Sequence, residues 1–236
     1  MDTNEYHNSE SPCARVVCFG ETTTDLVKRI NSRYGSFAKA EKYDESYRDP
    51  SGLATKLKIA VVDEDIPDIT SKASRWAEDL FLVMSTHDMT QQSDVQSMMF
   101  GSLQEIEQAV IAVLDTIAKP GYLSLDFNDV DKTLRNEDCF SVAVVEKQGE
   151  KALQEAVAQL KETCDIDECS RILVSIFTNP YTSTPIYASD MSALTAWMET
   201  LPTDAEVKWG MMMDETMSKD AVRVAVLSAP INPDFN

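Results

Sequence analysis

Short apolar segments alternate with amphipathic stretches along the chain, and this alternation constrains the fold more than any other feature. The first segment, ARVVCFG, ends in Gly20, and Leu26 and Ile30 then recur at helical spacing. Two further segments, KLKIAVVDED (56–65) and DLFLVMS (79–85), have the character of buried strands, and the helical ITSKASRWAE precedes the second. Strands that alternate with helices favour a parallel sheet, and a strand, a glycine turn and a helix begin a Rossmann-like domain.

The strongest helix signal lies near the middle of the chain. Ser102 and Glu105 form a capping box, S-x-x-E, and Lys119-Pro120-Gly121 ends the helix because proline disfavours helical geometry at the residue before it. The pattern predicts a helix over 102–118. One apolar stripe runs along it: Leu103, Ile106, Val110, Val113, Leu114 and Ile117.

The second half of the chain predicts a compact α/β domain with a mixed sheet. Strands are expected at 139–147 and 171–177, and helices at 149–163 and 190–202. Two alternating segments close the chain, EVKWGMMM and AVRVAVLS, and the turn DETMSKD between them predicts a β-hairpin. We expect the two helices to cover one face of this sheet.

Between these halves lies AKPGYLSLDFNDVDKTL, which carries two aspartates three residues apart. Asp126 has the position of an N-cap, and Asp129 falls at N3, where a carboxylate is favourable at the positive end of the helix dipole. Helix capping alone would explain both residues. A chemical role for the two carboxylates is the competing interpretation.

Composition excludes several classes of function. A net charge of −19 disfavours nucleic-acid binding, and no apolar run approaches the ~18 residues of a transmembrane segment. The N-terminus is polar and acidic and lacks a signal peptide's pattern, so a cytoplasmic protein is expected. Five cysteines fit no disulfide framework, and with only two histidines a metal site is not expected.

Several of these segments together resemble the FtsZ/tubulin superfamily, and bacterial FtsZ above all. AVIAVLDTIAKPGYLSLDFNDV is similar to the end of the family's central helix and its synergy loop, which typically reads PGLIN-x-DFADV. RILVSIFTNP, EVKWGMMMDETMSKD and AVRVAVLSAP are similar to the family's GVLVNITAG, IGTSLDPDMND and LRVTVVATG. The resemblance covers residues 105–229 in the right order and spacing.

The resemblance gives the two aspartates a function. In the family, this loop projects into the nucleotide pocket of the next subunit, where its carboxylates polarise the attacking water, and Asp126 and Asp129 match those carboxylates. Ser124 stands where the family has asparagine, and it is the candidate supporting residue of the loop.

The phosphate-binding loops depart from the family pattern. GETTTD stands where the family has GGGGGN, and STHDMTQQSD follows the strand at 79–85, where GGGTGTG is expected. Only glycine lets backbone N–H groups approach phosphates so closely. Glu21, Asp25 and Asp88 would also repel phosphates. The remaining candidates for a degenerate nucleotide site are Gly20, Thr22, Thr23, Thr24, Ser85 and Thr86.

The sequence thus predicts an α/β fold: a reduced, Rossmann-like N-terminal domain of FtsZ/tubulin type, a central helix and a C-terminal mixed-sheet α/β domain. The boundaries are a disordered tail at 1–13, the reduced domain at 14–101, the helix at 102–118, the second domain at 119–229 and a tail at 230–236.

Three functions remain open. The first is an interaction protein with a degenerate GTP site and no required cofactor, which assembles with itself or modulates an FtsZ-type partner in cell division. The second is a divergent GTPase that binds GTP and polymerises. The third is an inherited α/β shape with an unrelated small-molecule role.

Overall fold

The structure is a computed structural model. It describes residues 13–43, 55–64, 80–89, 95–164, 166, 168–187 and 189–230. The helix predicted at 69–78 and both predicted tails, apart from Cys13 and Pro230, lie outside the described residues. The chain forms two compact units, Met1–Glu107 and Gln108–Asn236. The boundary between them falls within the helix Leu103–Ala118.

The first unit is built on a parallel five-stranded sheet. Its elements are β1 (Ala14–Phe19), α1 (Thr24–Tyr34), β2 (Ala38–Lys42), β3 (Leu57–Val62), β4 (Leu80–Ser85) and β5 (Ser97–Phe100). The strand order is β2-β1-β3-β4-β5, and every neighbouring pair is parallel. All residues of β1, β3 and β4 are buried, and all are apolar except Arg15, Lys58 and Ser85, which fits central strands of a parallel sheet.

Two strands of this sheet were not predicted. β2 has the sequence AKAEK and β5 is only four residues long, so neither carries a strand-like apolar run. β5 lies directly before the central helix and pairs with β4. The sequence thus predicts three strands in this part of the chain, whereas the described residues form five.

The central helix, α2 (Leu103–Ala118), begins as predicted. The Ser102 N–H and hydroxyl donate to Glu105 Oε2, and the Glu105 N–H donates to Ser102 Oγ at 3.3 Å. From Ala109 onward the helix is buried on most sides, including the polar residues Asp115 and Thr116. The polar pair was not predicted to be buried.

The second unit contains a mixed five-stranded sheet. After α2 come β6 (Gly121–Leu123), α3 (Phe127–Leu134), β7 (Ser141–Gln148), α4 (Ala152–Thr163), β8 (Cys169–Thr178), α5 (Met191–Met198), β9 (Glu206–Met213) and β10 (Ala221–Pro230). The strand order is β6-β9-β8-β10-β7. The predicted hairpin between β9 and β10 was wrong, because β8 lies between them, parallel to β9 and antiparallel to β10.

Both predicted helices of this unit pack on one sheet face, as expected. α4 contributes Leu153, Val157 and Leu160 to a core that also contains Leu194 and Trp197 of α5. Inward-facing residues of the strands complete this core: Val145, Ile172, Val174, Ile176, Val222, Val224 and Val226. On β8 the alternate residue Ser175 accepts or donates a 2.8 Å hydrogen bond with Thr116 of α2, so the other face also meets a helix.

The five cysteines are free. Burial raises the pKa of the Cys18 thiol to about 12, which fits a packing residue rather than a nucleophile. In the part of the chain that the structure describes, there is no group of three or more histidine, cysteine, aspartate or glutamate side chains placed to hold a metal ion. Over the same residues, no helix is long and apolar enough to cross a membrane.

Candidate functional site

The loop that carries the two aspartates is fixed to the edge of the second sheet. The Met213 N–H donates to the Pro120 carbonyl at 2.8 Å, and β6 pairs with β9. Two glycines permit this close approach. A Cβ on Gly121 would lie 2.6 Å from the Met211 oxygen, and one on Gly210 would lie 2.6 Å from the Leu123 oxygen.

Asp126 and Asp129 form a complete capping box at the start of α3. The Asp129 N–H donates to Asp126 Oδ1 at 3.1 Å, and the Asp126 N–H donates to Asp129 Oδ2 at 3.0 Å. The structure therefore confirms that both residues cap α3. Ser124 donates only a long hydrogen bond, 3.3 Å, to the Gly121 carbonyl.

The two carboxylates differ in what else they contact. Asp129 Oδ1 accepts a 2.8 Å hydrogen bond from Lys208 Nζ. Burial acts to raise the pKa of Asp129, but the hydrogen bonds from Lys208 and from the Asp126 N–H outweigh it and hold that pKa below its usual value. Asp126 is exposed. Of the pair, Asp126 is thus the residue that is accessible to another molecule.

Two exposed apolar side chains precede Asp126 in the chain. Tyr122 is 70% exposed and Leu123 is 46% exposed, although both lie on a short strand of the sheet. A large apolar side chain that remains in water on a fixed backbone is a common feature of protein interfaces. The three exposed residues Tyr122, Leu123 and Asp126 are together called the loop face below.

A buried ionic network lies next to the residue that begins this loop, and the sequence did not predict it. Arg223 on β10 donates to Asp115 of α2 at 2.6 Å and to Asp214 at 3.1 Å, and both carboxylates are fully buried. Lys119, directly before the loop, bonds Asp214 at 3.0 Å. The Arg223 guanidinium also lies over the Phe177 ring, 4.5 Å from its centroid.

The candidate nucleotide residues lie in the first unit, at the carboxyl edge of its sheet. Because β2 lies on one side of β1 and β3 on the other, the topological switch point is between β1 and β3, where open α/β sheets bind ligands. The two loops at that point contain Gly20–Thr23 and Asp63–Glu64. The loop after β3 was not identified from the sequence, because its position depends on the strand order.

The threonines after β1 use their hydroxyls within the loop. Thr23 is buried and donates to the Gly20 carbonyl at 2.8 Å, and Thr24 donates to the Glu21 carbonyl at 2.9 Å. Thr22 is exposed. In this arrangement two of the three predicted hydroxyl donors are committed to backbone oxygens.

Ser85 and Thr86, at the end of β4, bond their neighbours. Ser85 is buried and donates to the His87 carbonyl at 2.7 Å. Thr86 Oγ1 donates to Asp63 Oδ1 at 3.3 Å, and the His87 ring nitrogen Nε2 lies 3.2 Å from the Asp63 carbonyl oxygen. The structure therefore brings the loops after β3 and β4 into contact.

The loop after β1 contacts the acidic residues after β3 directly. The Glu21 N–H donates to Glu64 Oε1 at 3.2 Å, and the Glu21 carboxylate pairs with Lys42 at 2.8 Å. Gly20 has a φ of 106°, and a Cβ there would lie 3.1 Å from Asp63 Cβ and 3.2 Å from Glu64 Cγ. At this switch point one backbone donor of the turn after β1, the Glu21 N–H, is thus bonded to a carboxylate.

The fold is that of the FtsZ/tubulin superfamily. Solved structures similar over nearly the whole chain include an empty FtsZ dimer from M. jannaschii, with 13% identity, a TM-score of 0.63 and coverage of 93% of this chain and 89% of that one. TubZ of Bacillus thuringiensis serovar israelensis, in GDP-form protofilaments, has 7% identity, a TM-score of 0.65 and coverage of 96% and 88%. CetZ2 of Haloferax volcanii, in a GTPγS-bound protofilament, has 10% identity, a TM-score of 0.60 and coverage of 93% and 94%.

Among curated proteins, cell division protein FtsZ 1 of Thermococcus kodakarensis is 25% identical to this chain over 134 residues. That match covers 55% of this chain and 34% of the relative, so the chain spans about a third of the length of the curated relative it matches. No protein-family model matches. The predicted resemblance to the FtsZ/tubulin superfamily and the predicted fold class are thus confirmed.

Proposed function

We propose that this chain is an FtsZ/tubulin-type cytoskeletal protein with a degenerate GTP site, which acts in filament assembly through the loop face. The observation that carries the proposal is the exposure of Tyr122, Leu123 and Asp126 on a backbone fixed by β9. Its binding partner is a second copy of this chain or an FtsZ-type protein with an intact nucleotide site. The empty dimer and the protofilaments among the similar structures support an assembling protein.

In such an assembly a site would form between two subunits, where the partner supplies the nucleotide and this chain supplies the loop face. Asp126 would face the partner's nucleotide and orient water, while Asp129, held by Lys208, would keep the α3 N-terminus in place. Tyr122 and Leu123 would supply apolar contact around the carboxylate. This division of roles follows from the exposure of Asp126 and the ion pair of Asp129.

The alternative, a divergent GTPase that binds GTP and polymerises by itself, has one observation in its favour. The N-cap of α1, Thr23, makes no side-chain capping hydrogen bond. A helix N-terminus without a cap retains backbone donors that can attract an anion. The acidic residues beside it, Glu21 and Glu64, weigh against this alternative.

The test of the proposal is the double substitution Asp126→Asn/Asp129→Asn. Asn is about as good an N-cap as Asp, and a partly exposed ion pair such as Lys208–Asp129 contributes at most about 1 kcal/mol, so the melting temperature should change little. We expect the variant to lose any effect that the wild-type protein has on phosphate release by a copurified FtsZ-type partner. We also expect it to lose any self-assembly that sedimentation detects for the wild-type protein.

A matched control carries the same change of charge elsewhere in the second unit. Asp138 and Glu150 are both exposed, and Asp138→Asn/Glu150→Gln should behave as wild type in both assays. If the loop variant and wild type alter turnover and assembly equally, or if neither alters them, the carboxylates act only as a helix cap and the proposal is wrong.

A further inference from the structure

The crevice between β1 and β3 contains an anion that belongs to the chain itself. Glu64 Oε1 accepts the Glu21 N–H at 3.2 Å, at the first turn after β1. Backbone N–H groups in such a turn are the donors that phosphates use in α/β folds. The Glu64 carboxylate thus places a negative charge on a donor of the kind that phosphates use.

The position of Glu64 is supported by its neighbours. Asp63, the preceding residue, accepts a hydrogen bond from Thr86 and contacts the His87 ring through its carbonyl oxygen. The Asp63 N–H donates to the Phe19 carbonyl at 3.1 Å, which fixes the start of this loop against the end of β1. Asp63 is thus held both by the end of β1 and by the residues after β4.

The space beside Gly20 is also occupied by side-chain atoms. Its φ of 106° suits glycine, and the space in which a Cβ would lie is closed by Asp63 Cβ at 3.1 Å and Glu64 Cγ at 3.2 Å. The glycine therefore admits the chain's own acidic side chains to the turn. Lys42, a cation near the same turn, is engaged by the Glu21 carboxylate at 2.8 Å.

We propose that Glu64 is an autoinhibitory anion, which occupies the phosphate position of this crevice and excludes nucleotide from it. The inference rests on the proposed function, since it gives the physical reason for a degenerate GTP site. A triphosphate would have to displace the carboxylate from the Glu21 N–H and then lie beside it, where the like charges repel each other although Glu64 is exposed to solvent. Part of the exclusion is thus a property of one side chain, and its removal should increase the affinity for phosphates.

The experiment titrates GTP, and inorganic tripolyphosphate in a parallel series, into wild type, Glu64→Ala and Glu64→Gln by calorimetry. We expect Glu64→Ala to bind both probes at least about tenfold more tightly than wild type, because the donor and the space become free and a negative charge is lost. Glu64→Gln should give a smaller gain, because the amide keeps the volume of the side chain. The control, Glu150→Gln, changes the net charge equally at a distant exposed site and should bind as wild type does.

The outcomes separate the two proposals. If wild type fails to bind and both Glu64 variants also fail while they melt as wild type does, the autoinhibitory role of Glu64 is wrong and the degenerate site stands. If wild type itself binds GTP tightly, the degenerate site is wrong as well. An equal gain in Glu150→Gln would show that overall charge is the cause, and it would also overturn the role of Glu64.

Discussion

Replacement of Arg223 by methionine is expected to lower the free energy of unfolding by about 3–5 kcal/mol, the usual cost of removing one partner from a buried ion pair. The guanidinium bonds two fully buried carboxylates, Asp115 and Asp214. Methionine keeps most of the side-chain volume next to Phe177 but supplies no positive charge. The loss therefore arises from the electrostatics of the network rather than from a cavity.

The measurement is urea unfolding of wild type and variant, with Arg135→Met as the control. Arg135 pairs with Asp131 one helical turn away, and its side chain is 35% exposed, so its replacement should cost about 1 kcal/mol or less. The double variant Asp115→Asn/Arg223→Met should recover part of the loss, because it removes a charge that the single variant leaves buried. Equal costs for Arg223→Met and Arg135→Met would mean that the network contributes little.

Val113→Asp is expected to be similarly damaging. Val113 is fully buried in the middle of α2, so the variant would place a carboxylate in the core. Such a change usually costs several kcal/mol, which for a chain of this size corresponds to a melting temperature lower by roughly 10 °C. Thermal melting followed by circular dichroism measures it.

The control for this prediction lies on the same helix. Gln108 is exposed, so Gln108→Asp changes helix propensity and charge without burying anything and should cost less than about 1 kcal/mol. A soluble Val113→Asp variant that melts cooperatively at the wild-type temperature would mean that α2 is peripheral to the fold.

Local signals in the sequence were sufficient for the elements with strong periodicity. The capping boxes of Ser102–Glu105 and Asp126–Asp129 are formed by residues three apart, so their geometry follows from the local sequence. β2 and β5 have no such signal. AKAEK is charged and β5 has four residues, so only pairing with β1 and β4 makes them strands.

Strand order was the part that local patterns could not supply. β9 and β10 are consecutive and joined by a short turn, which favours a hairpin, yet β8 lies between them in the sheet. The same limit concealed Asp63 and Glu64, since a loop after β3 becomes part of the crevice only when β3 is the neighbour of β1. Asp115 and Arg223 are 108 positions apart and meet only in the folded second unit.

The weak phosphate site expected from the sequence stays a prediction. The lack of clustered glycines in GETTTD predicts a poor phosphate-binding loop, and the structure adds that the Thr23 and Thr24 hydroxyls bond backbone oxygens. What the sequence could not give is the contact between Glu64 and the Glu21 N–H, because it joins two loops that are 43 residues apart.

We propose that this chain, whose fold is that of the FtsZ/tubulin superfamily, has lost useful GTP binding and retains the loop face. Calorimetric titration of GTP into the purified wild-type protein, with sedimentation on the same sample, tests it most directly. The account predicts no binding at micromolar concentrations of GTP and no guanine nucleotide that copurifies with the protein. Micromolar or tighter affinity, or bound guanine nucleotide in the purified sample, would contradict it.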